Sequence, residues 1–191
     1  MQAFLKAYTD MIAETIARLD PAEFQKAVDI LTEAHRNDRQ VFIAGNGGSA
    51  GTANHFSCDF GKNAVQTPGV RRFRIQSLSS NVEKITAFGN DIAFDEIFSQ
   101  QMENLFDPGD VLILVSASGK SPDLIKACEH AKRKRSPIIG LTGFEGGLVR
   151  DYADANLIVP LTSYEMIEDI HSMILHLFVY YFKTHPQVLS A

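Results

Sequence analysis

Val41-Phe42-Ile43-Ala44-Gly45-Asn46-Gly47-Gly48-Ser49 is the stretch on which the fold turns. A short apolar run breaks at Gly45, and a glycine-rich turn follows. Behind it, Ala50, Ala53, His55 and Phe56 belong to a segment of helical composition. This is the pattern of a buried parallel strand that ends in a tight turn and opens a helix. Glycines let backbone N–H groups approach a ligand, and the helix N-terminus adds partial positive charge. Such a turn favours an anion, usually a phosphate; a tight turn with no ligand gives the same pattern. The spacing is neither GxGxxG nor GxxxxGK[ST], so nucleotide binding is not indicated.

A second element repeats the design. Residues 111–121 read Val-Leu-Ile-Leu-Val-Ser-Ala-Ser-Gly-Lys-Ser, followed by Pro122 and a helix-like run from Asp123 to Lys134. Pro122 suits the first turn of that helix, which makes Ser121 the natural N-cap. Singly, Ser116, Ser118 and Ser121 read as turn and cap residues. As a pair, the two loops lie at the C-terminal ends of parallel strands, where open α/β sheets bind ligands.

Outward from these loops, strands are expected at 41–44, 73–77, 111–115, 137–142 and 156–160. Helices are expected at about 50–60, 81–88, 94–105, 121–134 and 164–183. Residues 61–72 read as irregular, and Phe144–Gly147 as a glycine turn. Apolar residues at Phe4, Tyr8, Met11, Ile12, Ile16 and Leu19 keep helical spacing, as do Phe24, Ala27, Ile30, Leu31 and Ala34, with Pro21 between the two runs. Alternating strands and helices imply a parallel sheet covered on both faces, a three-layer αβα fold. The first helix and Met166–Phe182 are apolar over a wide arc and need a partner surface, either the sheet or another subunit.

At 191 residues and 45% hydrophobic content the chain reads as one domain, 1–191, with helices over 1–38 and the sandwich over 39–191. A net charge of −5 gives no support for nucleic-acid binding. The basic run Lys132–Arg135 closes a helix, where cations are favoured by the dipole. Two cysteines, Cys58 and Cys128, fit a reducing compartment and make no zinc-finger spacing. Charges at Lys6, Asp10, Glu14 and Arg18 argue against a signal peptide, and no run approaches a membrane span, so a cytoplasmic protein is expected.

Two His–carboxylate pairs carry candidate chemistry. His55 and Asp59 are four residues apart on one helix face. On the last helix Glu168, Ser172 and His176 share a stripe, with Asp169 and His171 adjacent. Together the pairs suit a divalent site of zinc type, or a general acid–base pair. Alternatively, His171 or His176 is a core histidine bonded to a carboxylate.

Gly45-Asn46-Gly47-Gly48-Ser49 with His55, Gly89-Asn90-Asp91, Ser116-Ala117-Ser118-Gly119-Lys120-Ser121, Leu141-Thr142-Gly143 with Gly146-Gly147, and Glu168-Asp169-Ile170-His171 together resemble the sugar isomerase (SIS) domain family. The likeness runs over nearly the whole chain and is greatest to the branch that isomerises sedoheptulose 7-phosphate. The resemblance implies a flavodoxin-like five-stranded parallel sheet with an N-terminal helical arm, and a homotetramer with active sites between subunits. It implies an aldose–ketose isomerisation through an enediol, with His176 and Asp59 as the acid/base pair, feeding heptose synthesis for lipopolysaccharide or capsule. Phosphate and sugar would be held by Asn46, Gly47, Gly48, Ser49, Asp91, Ser116, Ala117, Ser118, Ser121 and Glu168. A divalent metal, zinc by analogy, would be held by His55, Asp59, Glu168 and His176 as a Lewis acid.

The chain departs from that branch at Asp59, Glu168, Ala117, Asn63 and Glu165, where glutamate, glutamine, threonine, arginine and aspartate are usual. Asp59 is one methylene shorter, Glu168 adds negative charge, and Asn63 removes an anion clamp that Lys62 need not replace. Other readings within the family are a non-catalytic scaffold of the replication-initiation type and an isomerase of a different phosphosugar. Retention of His176 argues against the scaffold.

Overall fold

The computed structural model describes residues 1–189. Helices α1 (Gln2–Ala17) and α2 (Pro21–Arg36) precede the sheet. Its strands are β1 (Gln40–Gly45), β2 (Arg74–Ser77), β3 (Val111–Ser116), β4 (Ile138–Gly143) and β5 (Ala155–Val159). Between and after them run α3 (Gly48–Asn63), α4 (Val82–Asp91), α5 (Ser99–Leu105), α6 (Pro122–Arg133), α7 (Val149–Tyr152) and α8 (Tyr164–Thr184).

All strand pairs are parallel, in the order β2-β1-β3-β4-β5. This is the five-stranded flavodoxin-like sheet expected. Side chains alternate across each strand, so each feeds two cores. Val41, Ile43, Ile113 and Val115 join Phe56, Phe60, Ile170 and Phe178 of α3 and α8 on one face. Phe42, Ala44, Leu112 and Leu114 join Phe98, Met102, Leu124 and Ala127 of α5 and α6 on the other. Gly45 pairs with Val115 and Ser116 with Thr142, so β1, β3 and β4 deliver their following loops to one edge.

Several boundaries differ from the periodicity. The segment expected as one helix over 94–105 begins as a 3₁₀ turn, Phe94–Glu96, before α5. Lys126 Nζ ties that turn down through Asp95 (3.0 Å) and Glu96 (2.7 Å). Helix α3 runs on to Asn63, into the stretch expected as irregular. Ser121 does precede α6, but its hydroxyl makes no capping bond, so the cap read from Ser-Pro is positional only. Only Thr15 of α1 is buried, while Phe4, Leu5 and Met11 are exposed. A hydrogen bond from Tyr8 Oη to Asp169 Oδ2 (2.6 Å) fastens α1 to α8.

Candidate active site

The turn after β1 needs its glycines for separate reasons. Gly47 sits at φ 54°, ψ −122°, a region that side chains rarely enter. At Gly48 a Cβ would fall on the carboxylate of Glu168, so α8 comes close to the first turn of α3 only because that side chain is missing. In the first turn of α3 the N–H of Ala50 is taken by the carbonyls of Asn46 and Gly47, which leaves those of Gly48 and Ser49 without a partner among the described residues.

The turn after β3 is folded by its own serines. Ser116 Oγ accepts from the N–H of Gly119 (3.0 Å), and Ser118 Oγ from that of Lys120 (3.3 Å). A hydroxyl that accepts a backbone bond keeps its own proton free to donate. Gly119, at φ 61°, lies against the second glycine turn, and its carbonyl accepts from Val149 N–H (3.0 Å).

Between the two turns lies a cavity of about 160 Å³ lined by Asn46, Ser49, Ser116, Ala117, Ser118, Ser121, Tyr164 and Glu168, with Val115 and Leu124 at its back. Seven of the ten expected substrate residues thus line one space, and Gly47 and Gly48 lie in the turn between two of them, Asn46 and Ser49. Its hydroxyl donors and helix N-termini are the chemistry that receives a phosphate. Asp91 is placed elsewhere. It ends α4, exposed, its carboxylate accepting from Asn90 Nδ2 (2.8 Å), and it is not among the cavity's lining residues.

Helices α3 and α8 run side by side from this cavity. Gly48 meets Glu168, Thr52 Oγ1 meets Ser172 Oγ at 3.3 Å, and His55 Nε2 meets His176 Nε2 at 3.0 Å. Asp59 Oδ2 stands 3.5 Å from both imidazoles. His55, Asp59 and His176 therefore converge, with side chains 58%, 27% and 50% exposed. One ligand atom of each lies within 4.8 Å of the others, and two imidazole nitrogens with a carboxylate are the donor set that zinc takes. These three residues fit a divalent cation.

The fourth expected ligand is not with them. Glu168 lies eight residues before His176, about 12 Å along α8 at 1.5 Å per residue, with its carboxylate against Gly48. The glycine gap draws it to the cavity instead.

His171, read as a possible core histidine bonded to a carboxylate, is fully buried and has no such partner. Burial pushes its imidazole down to about 4, the Thr142 backbone opposing only weakly. The sequence reading missed Asp123. It is 1% exposed, and its Oδ2 accepts from Asn46 Nδ2 at 2.8 Å. An acid in the first turn of a helix passes for a dipole effect, and nothing in the sequence joins positions 77 residues apart.

Comparison with known proteins identifies the family of this fold. Residues 3–143 match the SIS domain family. The phosphoheptose isomerase of Helicobacter hepaticus is 37% identical over 166 residues, 86% of this chain and 83% of that one. That of Rhodospirillum rubrum is 35% identical over 184 residues, 93% of this chain and 94% of that one. The structure of the phosphoheptose isomerase from Neisseria gonorrhoeae superposes with a TM-score of 0.84 over 96% of both chains at 27% identity.

Proposed function

The chain belongs to the SIS domain family, and from that membership we propose that it isomerises sedoheptulose 7-phosphate to D-glycero-D-manno-heptose 7-phosphate. It is a phosphosugar isomerase of the phosphoheptose type, acting in heptose synthesis.

The single observation that carries the reading is the spacing of two sites along one helix pair. The serine cavity lies at the start of α3 and α8, and the His–Asp cluster lies two turns further on. An extended seven-carbon sugar, with C–C bonds of about 1.5 Å, reaches roughly 9 Å from its second carbon to phosphorus. That reach is comparable with the two helical turns, about 11 Å, that lie between the sites.

In this reading Ser49, Ser116, Ser118 and Ser121 donate hydroxyl hydrogen bonds to the phosphate, and the N-termini of α3 and α6 favour its charge. Asn46, Glu168, Thr52 and Ser172 face the sugar chain between the two ends. The acid/base work falls to Asp59 and His176. One removes the proton from the carbon beside the carbonyl, and the electron pair of the broken C–H bond becomes the double bond of an enediol as the carbonyl π pair moves onto oxygen. The other delivers a proton to the carbonyl oxygen and takes one from the neighbouring hydroxyl. Return of the proton to the adjacent carbon completes the aldose. A divalent cation held by His55, Asp59 and His176, zinc by donor type, would supply charge to polarise the carbonyl.

The exposed apolar residues of α1 support an oligomer. Phe4, Leu5 and Met11 face solvent, and a groove of about 410 Å³ separates Ile16, Leu19 and Phe24 from Leu177, Tyr180 and Tyr181. We assign residues 1–38 to assembly of a homotetramer with sites between subunits, in the cytoplasm. No helix among the described residues is long and apolar enough to cross a membrane.

The test is turnover of sedoheptulose 7-phosphate by the purified protein, with and without zinc. Product formed by the wild type and lost in His176→Ala supports the assignment. Absence of product under every metal condition overturns it.

A further inference from the structure

A hydrogen bond links Asn46, in the turn after β1, to Asp123 at the start of α6, and its chemistry is directional. Asp123 occupies the first turn of α6 and is 1% exposed, outside the cavity lining. Its Oδ2 accepts Nδ2–H of Asn46 at 2.8 Å, and the backbone N–H groups of Asp123 and Leu124 also favour its charged form. Asn46 lies at the cavity wall, on the turn that follows β1.

An ionised carboxylate only accepts hydrogen bonds, whereas a carboxamide has one accepting end and one donating end. Asp123 therefore selects the amide's orientation. It takes the NH₂ group, and Oδ1 of Asn46 is left with no protein donor among the described residues. An open acceptor at the wall of a cavity suits a ligand hydroxyl and repels a phosphate oxygen.

We propose that Asp123 is a positioning residue: it holds Asn46 with its carbonyl oxygen toward the cavity, so that Asn46 reads a hydroxyl of the sugar while the serines read the phosphate. This rests on the assignment of the cavity to a phosphosugar. A buried carboxylate next to a phosphate site is electrostatically unfavourable, and burial pushes this one above the usual range. Its retention there has a reason if it sorts donors from acceptors, which an asparagine at position 123 cannot do, because that side chain offers both.

The experiment is calorimetric titration of the full-length protein with two ligands, sedoheptulose 7-phosphate and inorganic phosphate. In Asp123→Asn the sugar phosphate is expected to bind about tenfold more weakly, the value of one hydrogen bond. Inorganic phosphate is expected to stay within about twofold of wild type, below the energy of one such bond. In an Asn46→Ala background, Asp123→Asn is expected to change neither ligand by more than about twofold, since coupled residues lose their effect together. Equal weakening of both ligands would mean a general collapse of the turns and would overturn the proposal, as would a full tenfold effect in the Asn46→Ala background.

Asn46→Ala alone provides the same reading should Asp123→Asn fail to fold, because it leaves the buried carboxylate in place. Selective loss of the sugar phosphate supports the proposal, and unchanged sugar binding overturns it. Wild-type turnover is measured alongside. Tight binding without turnover removes the isomerase assignment and leaves the role of Asp123 standing; absence of binding by the wild type overturns both.

Discussion

The Nε2 atoms of His55 and His176 lie 3.0 Å apart, delivered by two helices from positions 121 residues apart. At that distance one ring donates to the other, or both turn lone pairs toward a shared cation. The second state links metal to stability. A cation at a hundredfold excess over its dissociation constant adds about 2.7 kcal/mol to the folded state, which for a chain of this size raises Tm by roughly 5–10 °C. Thermal melts of chelator-stripped protein with added zinc check this. His176→Ala is expected to abolish the rise; an equal rise in that variant would locate the cation elsewhere.

Among the described residues Asp59 is the one carboxylate beside both rings. Asp59→Asn keeps the shape and removes one member of the acid/base pair, so kcat is expected to fall by about 10²–10⁴, the usual scale of a general acid–base group. Asp59→Glu restores the longer side chain and is expected to retain activity well above that of Asp59→Asn. Steady-state kinetics on sedoheptulose 7-phosphate decide it, and similar rates in the two variants would remove Asp59 from the chemistry.

Gly47 and Gly48 separate strain from crowding. Gly47→Ala meets no neighbour within 4 Å but must hold φ 54°, so it is expected to lose about 1–3 kcal/mol of stability. For Gly48→Ala the nearest atoms met are those of the Glu168 carboxylate, a flexible and partly exposed end. It is expected to leave stability within about 1 kcal/mol and raise KM by about tenfold. Denaturation and kinetics on the same pair check both; a reversed pattern would refute the assignment of causes.

His171 gives a pH signature. Its folded value of about 4 lies below the ordinary 6.5, so between those values the unfolded chain binds the extra proton. Stability is thus full above pH 6.5 and falls as the pH drops toward 4. From pH 7 to pH 5 this one group accounts for a loss of about 2 kcal/mol. Unfolding measured at both pH values should show His171→Leu losing that much less than wild type, and equal losses would assign the acid sensitivity to other groups.

The sheet was legible because β1 and β3 hold unbroken apolar runs, Val41–Ala44 and Val111–Val115, ended by glycine or serine, and a parallel strand buried on both faces leaves that trace. Helix ends were less so. The turn Phe94–Glu96 is shaped by Lys126, thirty residues away at Glu96, and no local pattern contains that contact. In the site, His55 and Asp59 were visible from their four-residue spacing, and Ser116, Ser118 and Ser121 from their density after a strand. The place of Glu168 was legible only in part: eight residues put it about 12 Å from His176 along α8, but its carboxylate's approach to Gly48 is a contact between two helices that no local pattern contains. Asp91 entered through family likeness alone, and the fold of one chain leaves it exposed at the end of α4.

The openness of the His–Asp cluster has an isotopic consequence. Groups half exposed to water trade their protons with solvent, so a proton lifted from one carbon is replaced before it returns to the next. Substrate carrying deuterium at the reacting carbon should then yield product that has lost the label to water, and reaction in D₂O should introduce one deuteron per turnover. Any label that survives into the product counts the turnovers in which another surface had closed over His176 and Asp59, so a mass spectrum of the product measures, in solution, how much of the site one chain supplies by itself.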